Sequence, residues 1–348
     1  MQSVSHRIGL AGLDPETAAV KLKGAGIEER YARRLLYWVY RKGIRSFSEI
    51  DDIPRKVLER LAVSFESGLS LPLSSACSSD GSVKYLFSTR GGLLHEAVYL
   101  PEGKRHTICV SVQAGCRTGC RFCATGLNGW KGNLSAGEIV NQVISIPHRV
   151  TNVVMMGMGE PGDNIDEVIN ACNILTAEWG LAAGHSRVTV STVGVMPALR
   201  RLLDETRCNI TLSLHSPFPE ERSKVIPAER KWPFRESLAL LESHPGERNR
   251  RFTLAYVMID GLNDTEEHLE GLKKLLGGRR LKVNLLPYHP LPDDVHVSSD
   301  HSTMMKFKHL LVTSGIEATV RKSRGSDIAA ACGMLAAKGS ELTNRGSY

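Results

Sequence analysis

Residues 187–214 read RVTVSTVGVMPALRRLLDETRCNITLSL. A β-prone run, Val188 to Thr192, gives way at Gly194 to an amphipathic stretch and then to a second β-prone run, Asn209 to Leu214. The alternation extends to both sides. NVVMMG (152–157), FTLAYVM (252–258), KVNLLP (282–287) and EATV (317–320) are apolar runs that each adjoin a helical pattern. Repeated β/α units predict an α/β protein with a parallel sheet, open or rolled into a barrel. In either closure, functional groups belong at the carboxyl ends of the strands.

Ahead of this core the pattern differs. Residues 1–70 predict a small helical accessory domain: Asp14-Pro15 marks a helix start, and ERYARRLLYWVYRK (29–42) places Leu35, Leu36, Val39 and Tyr40 near one face. Arg30, Arg33, Arg34, Arg41, Lys42 and Arg45 crowd this segment, either as a solvated face or as one that grips RNA phosphates. Residues 71–112 predict a short β extension, with VKYLFS, HEAVYL and TICVSV separated by Gly and Pro turn signals. The core is expected over 113–335 and a tail over 336–348.

The composition, 42% hydrophobic and 23% charged over 348 residues, is that of an ordinary globular protein and excludes a disordered chain. A net charge of +7 admits a polyanionic partner without requiring one. No internal repeat is visible, which disfavours a solenoid or propeller. No run approaches the roughly 18 apolar residues of a membrane span and the amino terminus lacks a signal peptide, so a cytoplasmic protein with no membrane partner is expected. In that reducing compartment eight cysteines suit metal binding or catalysis better than a disulfide framework.

Three of those cysteines stand together in CVSVQAGCRTGCRFCATG (109–126), where Cys116, Cys120 and Cys123 form C-x3-C-x2-C beside Gly115 and Gly119. A structural zinc site closes with four protein ligands, and no fourth His or Cys lies at the usual offset. Three thiolates on a four-iron cube leave one iron open to an outside ligand. The spacing therefore points to a [4Fe-4S] cluster, with zinc as the alternative.

With Phe122 before its last cysteine, this motif resembles the signature of radical S-adenosylmethionine (SAM) enzymes. Together with NVVMMGMGEP, RVTVSTVGVMPAL, SLHSP, YVMIDGLND and VRKSRGSDIAAACG, it resembles the RlmN/Cfr family of RNA adenine methyltransferases over nearly the whole chain up to Leu335. The resemblance implies a partial (β/α) barrel core and a cluster on Cys116, Cys120 and Cys123. It also implies SAM chelated at the open iron and cleaved there, on one-electron reduction, to a 5′-deoxyadenosyl radical. A reductant such as flavodoxin or ferredoxin would supply the electron. The implied substrate is an adenine of large-subunit ribosomal RNA, with a tRNA adenine as an additional target in one branch. A monomer is expected.

The resemblance also assigns roles. Gly159, Glu160, Ser191, Ser213, Leu214 and His215 match SAM-binding positions. Cys332 matches a cysteine that one SAM methylates; the radical from a second SAM then removes a hydrogen from that methyl group, and the carbon adds to the adenine. Cys109 matches the thiol that releases the product by forming a transient disulfide with Cys332, and Glu96 matches the proton acceptor. Read without the family, the glycines of GMGEP (157–161) at a strand end let backbone approach a ligand and its carboxylate can accept from a substrate ammonium, with a plain turn as the alternative; Cys109 and Cys332 read as packed cysteines, and Glu96 as an exposed strand carboxylate. Cys77, Cys172 and Cys208 match no functional position and read as structural.

Four places depart from the family pattern: Gly162-Asp163, where bulky apolar residues are common; Gly132, in place of a basic residue; Glu229, in place of an asparagine; and His289, in place of an asparagine that contacts SAM. His289 retains a ring nitrogen able to donate a hydrogen bond and stays a candidate ligand. Ser216 is slightly closer to the branch that methylates C8 than to the one that methylates C2. The alternatives are a radical SAM enzyme acting on another substrate and a zinc-bearing RNA-binding module.

Overall fold

A computed structural model describes residues 7–244, 250–291 and 294–336, so all but the first residue of the expected tail lies outside the described residues. Among the described residues, ten strands form one sheet in chain order. They are β1 (Ser74–Cys77), β2 (Val83–Ser88), β3 (Leu94–Glu102), β4 (Arg105–Cys109), β5 (Asn152–Met155), β6 (Val188–Thr192), β7 (Asn209–Ser213), β8 (Phe252–Met258), β9 (Lys282–Pro287) and β10 (Ala318–Val320). From β4 to β10 every pair is parallel, whereas β1 to β4 pair antiparallel. With β1 and β10 as its two edges, the sheet makes no closed barrel among the described residues.

The parallel half follows from the alternation in the sequence. Val188, Val190, Ile210, Leu212, Leu254 and Val283 are fully buried, as strands covered by helices require. The intervening helices bury one stripe each. In Met196–Glu205 the stripe is Ala198, Leu199, Leu202 and Leu203, the spacing of one helical face. Helix Ala136–Ile144 carries a reciprocal cap between Ser135 and Glu138 that satisfies its first free N–H groups.

The β extension is not a separate sheet. Strand β4 pairs with β5 through Thr107–Asn152, Ile108–Val153 and Cys109–Val154, so the antiparallel strands continue the core sheet. The helical segment also docks on the core. Its first helix, Pro15–Gly24, begins at Asp14, whose carboxylate accepts from the Thr17 N–H at 2.8 Å. The 29–42 pattern is helical throughout but splits into a 3-10 turn, an α turn and a π turn, with Leu35, Leu36, Val39 and Tyr40 buried. Arg41 donates to the Glu178 and Leu181 carbonyls at 3.0 and 3.2 Å, and Arg34 pairs with Asp52. These two cations hold protein, which narrows the face left for phosphates. Among the described residues no helix is long and apolar enough to cross a membrane.

Candidate active site

The cysteine loop is framed by a hairpin too short to read from sequence, Gln113–Gly115 against Trp130–Asn133. Gly115 has φ +84°, and a Cβ there would lie 2.0 Å from the Gly129 carbonyl, so only glycine fits. The Cys116 N–H donates to that same carbonyl at 3.0 Å, while the Arg121 N–H reaches Val225 O at 3.1 Å. Cys116 and Cys120 are buried, and Cys123 is half-buried. Burial pushes the Cys116 thiol up to about 11 and Cys120 well above its ordinary value, and the nearby Cys123 adds to both.

Two buried sulfurs beside a half-buried third gain from a soft cationic centre, and their chemistry suits iron–sulfur ligation. Three cysteine thiolates match a cluster with one open iron, whereas a structural zinc site closes with four protein ligands.

The residues matched to SAM lie at the carboxyl ends of β5, β6 and β7, with His289 after β9. Gly159, at φ +104°, sits against the Gln113 backbone N, 2.8 Å from where a Cβ would stand. Glu160 is buried; one oxygen accepts from Thr192 Oγ at 2.5 Å and the Gly162 N–H at 2.9 Å, the other from the Val193 N–H at 3.0 Å. Burial raises its carboxyl to about 7 against those lowering bonds. Lone-pair sites remain for a further donor. Ser191 and Ser213 are half-buried on β6 and β7, and Leu214 continues the ladder to Ala255 O at 2.9 Å.

His215 is a buried, non-glycine residue at φ +59°. Burial, then the Arg222 charge, depresses its pKa to about 3, so the ring is neutral near neutral pH. Nδ1 accepts from the Val257 N–H at 2.9 Å, which leaves the proton on Nε2. The ring stands edge-on to Phe122 with centroids 4.6 Å apart, tying this run to the cysteine motif. His289 is half-buried after β9, and its described hydrogen-bond partner is Ser323 Oγ, 3.1 Å from Nε2. Ser216 is committed to Glu221, at 2.7 Å, and to the Phe218 N–H, at 3.1 Å.

Sequence reading missed Arg222. This fully buried guanidinium donates to the Ser213, Val193 and Leu214 carbonyls at 2.7, 2.8 and 3.1 Å, clamping the ends of β6 and β7 together. Its counter-ion is Glu229, which also accepts from the Phe234 N–H at 3.0 Å. That pairing gives the carboxylate at Glu229 a structural role. Glu229→Ala would strand a buried charge, and urea unfolding is expected to show a loss of about 3–5 kcal/mol. The Gly162 departure is steric, since a Cβ there would come within 2.6 Å of Val195 Cβ; at Gly132 the near atom is Leu93 Cδ1, the movable end of a side chain, and nothing in the structure explains that glycine.

The remaining candidates meet on one face of β2 to β4. Cys109 pairs in register with Val98, and Glu96 lies two residues before Val98, hence on the same face. There Leu86, Val98 and Cys109 pack against Met158, Ala330 and Leu335. Burial, then the neighbouring Cys332, pushes the Cys109 thiol up to about 12. Glu96 is buried and paired with Lys84 at 3.2 Å, not exposed. Cys332 is exposed rather than packed among its alanines, yet the surrounding protein raises its thiol, with Arg321 opposing and Cys123 adding.

The strip around Cys332 joins both halves of the site. Gly333 O accepts from the Ala124 N–H at 2.7 Å and Leu335 O from Thr125 Oγ at 2.6 Å, both just after the cysteine motif. The Ala336 N–H donates to Glu96 at 3.0 Å. Of the cysteines read as structural, Cys172 and Cys208 are buried, whereas Cys77 is exposed because it ends edge strand β1.

Comparison with known proteins gives a consistent result. Residues 110–275 match the family model described as the Radical SAM superfamily. A Bacteroides thetaiotaomicron protein named a probable dual-specificity RNA methyltransferase RlmN is 40% identical over 326 residues, covering 93% of this chain and 94% of that one. The dual-specificity RNA methyltransferase RlmN of Syntrophobacter fumaroxidans is 40% identical over 323 residues, 91% of this chain and 94% of that one. The crystal structure of a radical SAM methyltransferase from Sphaerobacter thermophilus superposes with a TM-score of 0.89 at 37% identity, covering 95% of this chain and 100% of that one.

Proposed function

The chain belongs to the RlmN family of radical SAM methyltransferases, and from that premise we propose that it methylates an amidine carbon, C2 or C8, of an adenine in RNA through an S-methyl group on Cys332. It is a SAM-dependent enzyme with a [4Fe-4S] cluster. The preferred target is large-subunit ribosomal RNA, with tRNA second. The observation that carries the reading is that Glu96 and Cys109 share one sheet face against the strip that bears Cys332, and that strip is bonded to the cysteine loop.

Cys116, Cys120 and Cys123 would hold the cluster, and Gly159, Glu160, Ser191, Ser213, Leu214 and His215 would bind SAM, with His289 a further ligand. When bound, these groups supply the methyl group and the hydrogen abstraction needed to alkylate a carbon that accepts no ordinary electrophilic methyl. Cys332 carries the one-carbon unit. Glu96 accepts the proton that leaves the modified ring carbon. Cys109 then attacks the Cys332 sulfur: an S–S bond forms, the C–S bond breaks with its electron pair going to carbon, and that carbon takes a proton to become the methyl group. Donation by a flavodoxin- or ferredoxin-type reductant, action as a monomer and a cytoplasmic location belong to the same reading.

The test is anaerobic incubation of reconstituted enzyme with reductant, labelled SAM and unmodified ribosomal RNA or tRNA. Label is expected on adenine carbon. Absence of label from both RNAs removes the assignment. In that event, deoxyadenosine release marks another radical SAM substrate, while zinc without iron marks an RNA-binding module.

A further inference from the structure

We infer that Lys84 is a positioning residue that fixes the Glu96 carboxylate and the Cys332 strip in one geometry, so that proton removal follows attachment of the RNA carbon. The inference rests on the reading of Glu96 and Cys332 given above. Lys84 lies opposite Val98 and therefore diagonal to Glu96 on the same face of β2 and β3. A lysine in the apolar run VKYLFS is out of pattern, and here it is buried, with Nζ 3.2 Å from Glu96 Oε1. Burial of a lone carboxylate is unfavourable, and a directly paired ammonium offsets it.

The same ammonium donates to Ala329 O at 3.3 Å. Ala329 has φ +50°, a conformation that non-glycine residues rarely adopt, and it lies three residues before Cys332. On the other side, Glu96 Oε2 accepts from the Ala336 N–H at 3.0 Å. Lys84 and Glu96 thus grip the strip on both sides of Cys332. In the step they serve, the C–H bond at the modified carbon breaks, its electron pair stays in the ring, the proton goes to Glu96, and the one electron left unpaired by addition of the carbon radical would return to the iron–sulfur couple that Cys116, Cys120 and Cys123 would hold. Without Lys84, the carboxylate and the sulfur that tethers the RNA lose their common anchor.

The experiment compares wild-type enzyme with Lys84→Gln and Lys84→Met, using Cys109→Ala as the reference that traps RNA on Cys332. In both Lys84 variants RNA methylation is expected to fall about tenfold or more, and the covalent RNA–protein band on a denaturing gel to rise toward that of Cys109→Ala. Methylation of Cys332 and deoxyadenosine release should stay within about twofold of wild type. The inference is overturned if both variants methylate RNA like wild type, or if both lose all three signals together without the band. Failure of the wild-type enzyme to methylate RNA would instead overturn the functional reading itself.

Discussion

Cys332→Ala is expected to lower RNA methylation by about 10³-fold or more while leaving iron and sulfide content unchanged. The size of the effect follows from the chemistry: an alanine methyl has no lone pair with which to accept a one-carbon unit, and no nearby group can take over. Its neighbour Cys109 is a half-buried thiol packed against the sheet and pushed up to about 12, a poor substitute for an exposed sulfur. The cluster should survive because Cys332 is exposed, and the bonds from its strip to the cysteine loop come from the Gly333 and Leu335 backbone. Those bonds do not depend on the sulfur. Iron and sulfide assays with a single-turnover methylation assay check both halves; unchanged turnover would exclude the methyl-cysteine route.

The second large effect is expected from Cys120→Ser: loss of iron, sulfide and the brown absorbance, with methylation at background. Cys120 is buried beside Cys116 and Cys123, and both of those thiols add to the cost of ionising it. A hard hydroxyl cannot replace a soft thiolate on iron. Removing a direct ligand should exceed the 10–100-fold losses typical of changes around a metal site's ligands. The fold should persist, since the loop is held by backbone bonds to Gly129, Val225 and Gly333. Retained far-ultraviolet circular dichroism with lost iron is the expected pair of results; full iron content in the serine variant would remove Cys120 from the ligand set.

What the sequence made legible was what local pattern encodes. Val188–Thr192 and Asn209–Ser213 are β-branched runs separated by a one-faced helix, and both became parallel neighbours. The three-cysteine spacing likewise needs only local chain geometry. Arg222 and Lys84 were not legible because their meaning lies in distant partners: the strand-end carbonyls for one, Glu96 and Ala329 for the other. Nor could a charge count show that Arg34 and Arg41 hold protein. The continuity of the β extension with the core depends on β4 meeting β5, a pairing of segments far apart in the chain that turn signals do not specify.

The central claim is that the new methyl carbon passes through Cys332 as a methylene. It is tested most directly with SAM whose methyl group carries three deuterons. Abstraction removes one deuterium atom, and the carbon later takes a proton from solvent. Mass spectrometry of the product nucleoside should therefore find a methyl group with two of the three deuterons. A methyl group that keeps all three would contradict this route.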